Sequence, residues 1–246
     1  MKVRGSVAVV TGANRGIGKA FVEALAAAGA DRLYAGARDP ESLSELKSRL
    51  DGIVVSIALD VTKPDQVQAA AKLASDATLL INNAGVAQFV GLVGASGLEA
   101  ARQEMETNYF GVLAMIRAFA PILKANGGGA IATVSSIAGH VNFPALGSYS
   151  ASKAAVHSLI QGVRGELRAQ RTLVVGVYPG PVETDMARDI EAEKVPPAQI
   201  ATATLEAIEQ GLEDVFPDPV SQQLHAGLLS DPKTVERQAA EFGAAQ

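Results

Sequence analysis

The sequence predicts an α/β fold, a doubly wound parallel sheet of about seven strands with helices on both faces. Three observations lead there. Short runs that are wholly apolar, residues 7–10, or nearly so, residues 77–81, read as buried strands. Segments with apolar residues at helical spacing separate these runs, which is the alternation of successive βαβ units. The polar and glycine-rich motifs each follow directly on an apolar run, where open parallel sheets bind ligands.

The first strand, residues 7–10, runs into Thr11, Gly12, Ala13, Asn14, Arg15, Gly16, Ile17 and Gly18, and then into a helical pattern marked by Phe21, Leu25 and Ala28. Strand, glycine turn and helix in that order is the setting in which a glycine-rich motif carries weight. Gly12 permits the tight turn, Gly16 lets the backbone approach a pyrophosphate, and Gly18 lets helix and strand pack closely. The helix N-terminus then offers free N–H groups and a positive dipole end to phosphates. The second strand, residues 32–36, leads to Ala37, Arg38 and Asp39 and a helix over 41–50. An acid at the end of that strand would bind the 2′-hydroxyl of NAD, and an arginine would accept the 2′-phosphate of NADP. Ala37 holds the acidic position and Arg38 follows, with Arg15 able to approach the same phosphate, so NADP(H) is the expected cofactor. The alternatives are that both arginines are solvated surface charges, and that Asp39 pairs with Arg38 or binds a ribose itself.

A third strand over 53–57 ends at Asp60 and Val61, a helix covers 63–73, and a fourth strand over 77–81 delivers Asn82, Asn83, Ala84 and Gly85. Residues 97–124 read as one or two long helices with Asn108 set among apolar neighbours. A buried asparagine needs hydrogen-bond partners, either as part of a site or as a cap or kink between helices. The fifth strand, 130–134, brings Ser135 and Ser136 to the same edge. Val141, Phe143 and Leu146 in the following loop, with Val86, Phe89 and Met186, suggest an apolar pocket. The sixth strand, 173–177, leads to Pro179, Gly180, Val182 and Thr184. A charged, mobile substrate loop is expected near 187–197, then a helix over 200–212, a short strand at 214–216, and tail helices from Val220 and Pro232. No repeat or linker interrupts the chain, which reads as one domain over 1–246.

Tyr149 and Lys153 stand four apart on an alanine-rich helical run, so they share a face. A free tyrosine has a pKa of about 10 and is a poor proton shuttle at neutral pH. An ammonium one turn away favours the phenolate, and a shift of roughly 3 units needs about 4 kcal/mol of differential stabilisation. Such a pair recurs on many helix surfaces and gains its meaning only from the motifs around it.

Composition excludes several functions. The 246 residues carry 48% hydrophobic and 19% charged side chains, as in a globular chain. A net charge of −5 argues against nucleic acid and anionic membranes as partners. Without cysteine there is no disulfide, thiolate nucleophile or cysteine-based metal site. His140, His157 and His225 lack metal-ligand spacing, and the last two read as ordinary helix residues. No metal is expected. The N-terminus lacks a long apolar signal region and no stretch reaches the length of a membrane span, so a soluble cytoplasmic protein is expected.

Taken together, the motifs at 11–18, Asp60-Val61, 82–85, Asn108, Ser135-Ser136, Tyr149-x-x-x-Lys153 and Pro179-Gly180-x-Val182-x-Thr184 resemble the classical short-chain dehydrogenase/reductase family over almost the whole chain. The resemblance implies a Rossmann-type fold and a ketone or aldehyde interconverted with an alcohol by hydride transfer. Tyr149 would be the general acid/base, Ser136 would orient the substrate oxygen, Lys153 would bind the nicotinamide ribose and lower the tyrosine pKa, and Asn108 would hold a relay water. Cofactor contacts would come from Gly12, Asn14, Arg15, Gly16, Ile17 and Gly18, from Arg38, and from Asp60 and Val61 at the adenine. Asn82, Ala84, Gly85, Tyr149, Lys153, Pro179, Gly180, Val182 and Thr184 would complete them. Extended relatives such as sugar-nucleotide epimerases show a shorter glycine spacing and a longer substrate domain. A catalytically idle dinucleotide sensor or scaffold on the same fold is the alternative, although it would not need all four catalytic residues. The apolar faces of the helices carrying Asn108 and Tyr149 point to a homo-oligomer, a tetramer or dimer.

Overall fold

Period-two alternation decides which layer each strand residue joins. In β1 (Val7–Thr11), Ala8 and Val10 enter the core on one side of the sheet and Val9 the core on the other. The same split recurs in β4 (Leu79–Asn82), where Leu79 and Ile81 oppose Leu80. The computed structural model describes residues 1–50 and 52–241. With β2 (Arg32–Ala37), β3 (Val54–Ala58), β5 (Gly129–Val134), β6 (Thr172–Val177) and β7 (Asp214–Val215), these strands form a parallel sheet in the order β3-β2-β1-β4-β5-β6-β7. The order reverses between β1 and β4, so a crevice opens there at the carboxyl ends.

Helices cover both faces because every parallel connection must cross over the sheet. On one face α1 (Gly16–Ala27) packs beside α7 (Pro197–Gln210) through Phe21, Leu25, Leu205 and Ile208. On the other face α3 (Pro64–Leu73), α5 (Val112–Ala125) and α6 (Gly147–Leu167) bury Val67, Met115, Phe119, Val156 and Ile160. The tail forms α8 (Pro219–Ser230) and α9 (Pro232–Glu241), which pack on each other. Among the described residues no helix is long and apolar enough to cross a membrane.

Several elements differ from expectation. The helix expected over 41–50 is a 3₁₀ turn, Pro40–Leu43, followed by a short α2 (Ser44–Arg49). Asp39 starts it by accepting the Glu41 N–H at 3.0 Å. β4 begins two residues later than expected, since the Ala77 N–H still closes a turn onto the Ala74 carbonyl at 3.1 Å. The 97–124 region, expected as one or two long helices, is one continuous helical run, and what was not expected is that α4 (Glu99–Glu104) passes through a π-helical stretch, Met105–Gly111, into α5. Asn108 lies within the π turn, a feature frequent at functional sites. The segment expected to be mobile, 187–197, starts at the last residue of a 3₁₀ turn, Asp185–Ala187, and near its end Val195 forms a parallel bridge with Val182.

Candidate active site

At the crevice between β1 and β4 a cleft of about 970 Å³ runs from the glycine loop to the start of α6. Gly12 and Gly16 have φ of +64° and +51°, backbone that side-chain-bearing residues adopt with strain. A Cβ on Gly18 would collide with the Gly12 carbonyl, which is the close helix–strand packing expected of it. Gly18 therefore shapes the loop without lining the cleft. Arg15 precedes α1 in extended conformation and caps it with no side chain, leaving the first amides for a ligand. Thr11 Oγ accepts from the N–H groups of Asn83 and Ala84 at 2.9 and 3.0 Å. The Asn83 amide donates to the Thr11 and Gly12 carbonyls at 3.0 and 3.1 Å. Asn83 thus ties the loop after β4 to the glycine loop. Asn82, expected to contact the cofactor, points away from the cleft, buried and donating to Thr133 at 3.3 Å. Alternation along the strand puts the two asparagines on opposite sides, and the choice between them was not visible in the pair itself.

Arg38, Asp60 and Val61 line the far end of the cleft, as do Asp39 and Ser42. Asp60 accepts from the Thr62 N–H and hydroxyl at 3.0 and 2.7 Å. Partial burial opposes ionisation, but these hydrogen bonds and the charges of Arg38 and Lys63 hold its carboxyl below the usual range. Asp39 spends one oxygen on the helix cap. Arg15 reaches Asp185 at 3.0 Å, and Arg188 reaches the same carboxylate at 2.7 Å. A glycine cradle free of Cβ atoms beside an uncapped helix end, with Arg38 lining the same cleft, fits a dinucleotide.

The other end of the cleft is lined by Ser136, Tyr149 and Lys153, with Gly85 and Val86 opposite. Lys153 Nζ donates to the Val134 carbonyl at 2.9 Å and lies 5.6 Å from the Tyr149 ring centroid. Ser136 donates to the Pro179 carbonyl at 3.3 Å and accepts the Ala138 N–H at 3.1 Å. Burial pushes Tyr149 up to about 12, with the Ser136 hydroxyl working against the rise and Glu104 adding to it. Burial likewise brings Lys153 down to about 8. The protein's own groups therefore do not lower the tyrosine. Asn108 is wholly buried and stands behind the cleft wall. Its Oδ1 accepts the Val86 N–H and its amide donates to the Val86 carbonyl and to Ser152, each at 2.9 Å. Ser152 in turn donates to the Tyr149 carbonyl at 2.7 Å.

Pro179, Gly180, Val182 and Thr184 line the cleft below, and the Gly180 N–H donates to Asp218 at 2.8 Å. Asp218 is buried and also caps α8 through Ser221. Sequence reasoning missed it, although an aspartate before Pro219 is a helix-start signal. Of the apolar residues expected in the pocket, Val86, Phe89, Phe143, Leu146 and Met186 line it. Val141 packs instead with Val235 and Ala239 of α9. The histidines are more than ordinary helix residues: the rings of His157 and His225 both pack on His140, at centroid distances of 4.3 and 6.0 Å, beside Tyr178 and Phe216. Among the described residues no group of three or more His, Asp or Glu side chains is placed to hold a metal.

Sheet order, crevice and glycine cradle define a Rossmann-type nucleotide-binding protein. The family model described as short chain dehydrogenase matches residues 6–195, and the chain belongs to that family. Among similar proteins is a short-chain dehydrogenase from Burkholderia cenocepacia J2315, solved in complex with NADP. It has a TM-score of 0.92 and 43% identity, with 97% of this chain and 99% of that one covered. A short-chain dehydrogenase/reductase from Burkholderia phymatum, solved with NAD, has a TM-score of 0.84 and 29% identity, with 97% and 96% covered. Glycine betaine reductase ATRR of Emericella nidulans is 38% identical over 200 residues, 77% of this chain but 16% of that much longer protein.

Proposed function

We propose that the protein is an NADP(H)-dependent oxidoreductase that interconverts a ketone or aldehyde and an alcohol. The observation that carries this reading is the meeting of Ser136, Tyr149 and Lys153 at one end of a cleft whose other end is the glycine cradle. A bound nicotinamide supplies or accepts the hydride. The chain's part is the proton and the oxygen. As hydride reaches the carbonyl carbon, the C=O π pair moves onto oxygen, and the Tyr149 hydroxyl gives that oxygen its proton. A tyrosine held up at about 12 keeps its proton at neutral pH and so stands ready as the acid. Ser136, turning its single hydroxyl proton from the Pro179 carbonyl, donates a second hydrogen bond to the same oxygen. Lys153 holds the ribose side and offsets the phenolate left behind. Asn108 acts through its grip on Val86 and on Ser152, which fix the cleft wall and the Tyr149 turn.

NADP(H) preference rests on Arg38 and Arg15 with no acid at position 37, and on Asp39 being engaged as a helix cap. The relative solved with NADP supports it, and the one solved with NAD keeps dual use in view. The apolar lining from Val86, Phe89, Phe143, Leu146 and Met186 favours a substrate with a hydrocarbon body. A cytoplasmic location accords with a cysteine-free acidic chain. The protein works as one domain whose 187–197 segment moves with substrate, and it forms a homodimer or homotetramer through α5 and α6.

The reading is tested by following NADPH oxidation over a panel of ketones and aldehydes, and NADP⁺ reduction over the matching alcohols. Turnover with at least one apolar carbonyl is expected. Tight cofactor binding without turnover across the panel would replace the enzyme with a dinucleotide sensor.

A further inference from the structure

Among the described residues two carboxylates are buried, Asp218, which caps α8, and Glu104, which the mechanism above leaves unused. It ends α4 one turn before Asn108 and is 0% exposed. Its Oε1 accepts the Gln88 N–H at 2.8 Å. Two residues earlier, Val86 is held by Asn108 through both its N–H and its carbonyl. One helix face therefore grips alternate residues of the segment that forms the cleft wall at Val86, Ala87 and Phe89.

The second carboxylate oxygen, Oε2, is buried and has no hydrogen-bond partner among the described residues, and the same holds for the hydroxyl of Ser148. The two residues come from neighbouring helices, since α4 packs on α6, and no hydrogen bond joins them. The helical run from α4 to α5 and helix α6 both return across a parallel sheet, so they run in the same direction and pack side by side. Asn108 touches Ser152 at 2.9 Å. One turn back on each helix stand Glu104 and Ser148, the residue before Tyr149. A buried carboxylate with an idle oxygen costs free energy wherever it is kept, which calls for a role.

We propose that Glu104 is a positioning residue of the catalytic centre, holding the cleft wall at Gln88 where α4 packs against the helix that carries Tyr149. The proposal rests on the reading of Tyr149 as the proton-transferring group. Two consequences follow. The carboxylate keeps the substrate-side wall at a fixed distance from the tyrosine. Its negative charge also opposes the phenolate, as the rise in the Tyr149 pKa that Glu104 contributes reflects. The other charged group near Tyr149 is Lys153 on its own helix, 5.6 Å from the ring centroid; Glu106, two residues after Glu104, lines the cleft.

Glu104→Gln keeps the shape and the acceptor for Gln88 while removing the charge; Glu104→Ala removes both. The ionisation of Tyr149 is read without any substrate, as the alkaline phenolate absorbance of the protein minus that of its Tyr149→Phe variant, with and without Glu104→Gln. The expected result is a Tyr149 step moved down by about one pH unit. In turnover, the pH profile of kcat/KM moves the same way while KM stays near the parent's, and Glu104→Ala raises KM as the wall loosens. An unmoved Tyr149 step in Glu104→Gln overturns the proposal, and so does a Glu104→Ala protein with the parent's KM. If the absorbance step shifts but no carbonyl is turned over, the enzymatic reading fails and the placement of Glu104 stands.

Discussion

Arg38 and Thr11 show how single side chains set the two ends of the nucleotide cleft. Arg38 lines the cleft where the adenosine ribose would lie and carries a charge that Asp60 feels. Charge-assisted hydrogen bonds to a phosphate are the stronger kind, so losing the guanidinium falls mainly on the 2′-phosphorylated cofactor. Arg38→Ala is expected to lower kcat/KM for NADPH by about ten- to a hundred-fold and for NADH by only a few-fold. Equal use of both cofactors by the parent would show that another group decides the choice. Thr11 works on the backbone instead. Its buried hydroxyl is the acceptor for two loop amides, those of Asn83 and Ala84. Thr11→Val leaves both N–H groups without that partner and should cost about 2–4 kcal/mol in denaturant unfolding. A loss well under 1 kcal/mol would mean that the loops hold each other by other contacts.

At the scale of elements, the histidine cluster ties α6, α8 and the loop after Ser136 together, and it should make that corner sensitive to acid. Burial lowers His140 to about 4, and the charges of His157 and His225 add to the effect. His157 is lowered as well, again by burial first. The unfolded chain therefore binds protons that the fold refuses between about pH 6.5 and 4. Stability from this corner is full above about 6.5 and is lost as pH falls toward 4. His140→Leu should flatten that part of the stability profile, as read by thermal melts across the range; an unchanged slope would place the acid sensitivity elsewhere. The strands and the glycine loop were legible in the sequence because alternation and glycine placement are local properties of the chain. Asn108 was legible as a buried polar residue, but its partners Val86 and Ser152 lie 22 and 44 positions away and only the packed helices bring them in. Glu104 looks like surface charge in the run Arg102, Gln103, Glu104, Met105, Glu106. Its burial depends on α4 lying against α6. The histidines were invisible as a group for the same reason, since each comes from a different element.

For the molecule as a whole, the proposed assembly is predicted to use the outer surface of α5 and α6. Phe119, Val156, Ile160, Val163 and Leu167, expected to need a partner, are buried within the chain by the sheet and its neighbours. What stays open is a groove lined by Tyr109, Leu113 and Leu159 between Arg117 and Glu166, with Phe110 half exposed beside it. An apolar strip flanked by opposite charges suits a two-fold contact in which each side meets its own copy. Light scattering at micromolar concentration should give a dimer or tetramer, and Phe110→Glu should shift it toward the 25.3 kDa monomer. A clean monomer in the parent would leave the groove without that role. In the proposed reaction the sheet, the cradle and α6 come together on one event, proton transfer at Tyr149 as hydride moves. Single-turnover reduction of a carbonyl by Tyr149→Phe, loaded with NADPH, measures that event most directly. The rate should fall by at least about 10²-fold with cofactor affinity within a few-fold of the parent, because the ring still packs while the proton is gone. A variant that keeps more than about a tenth of the parent rate would contradict the role given to Tyr149.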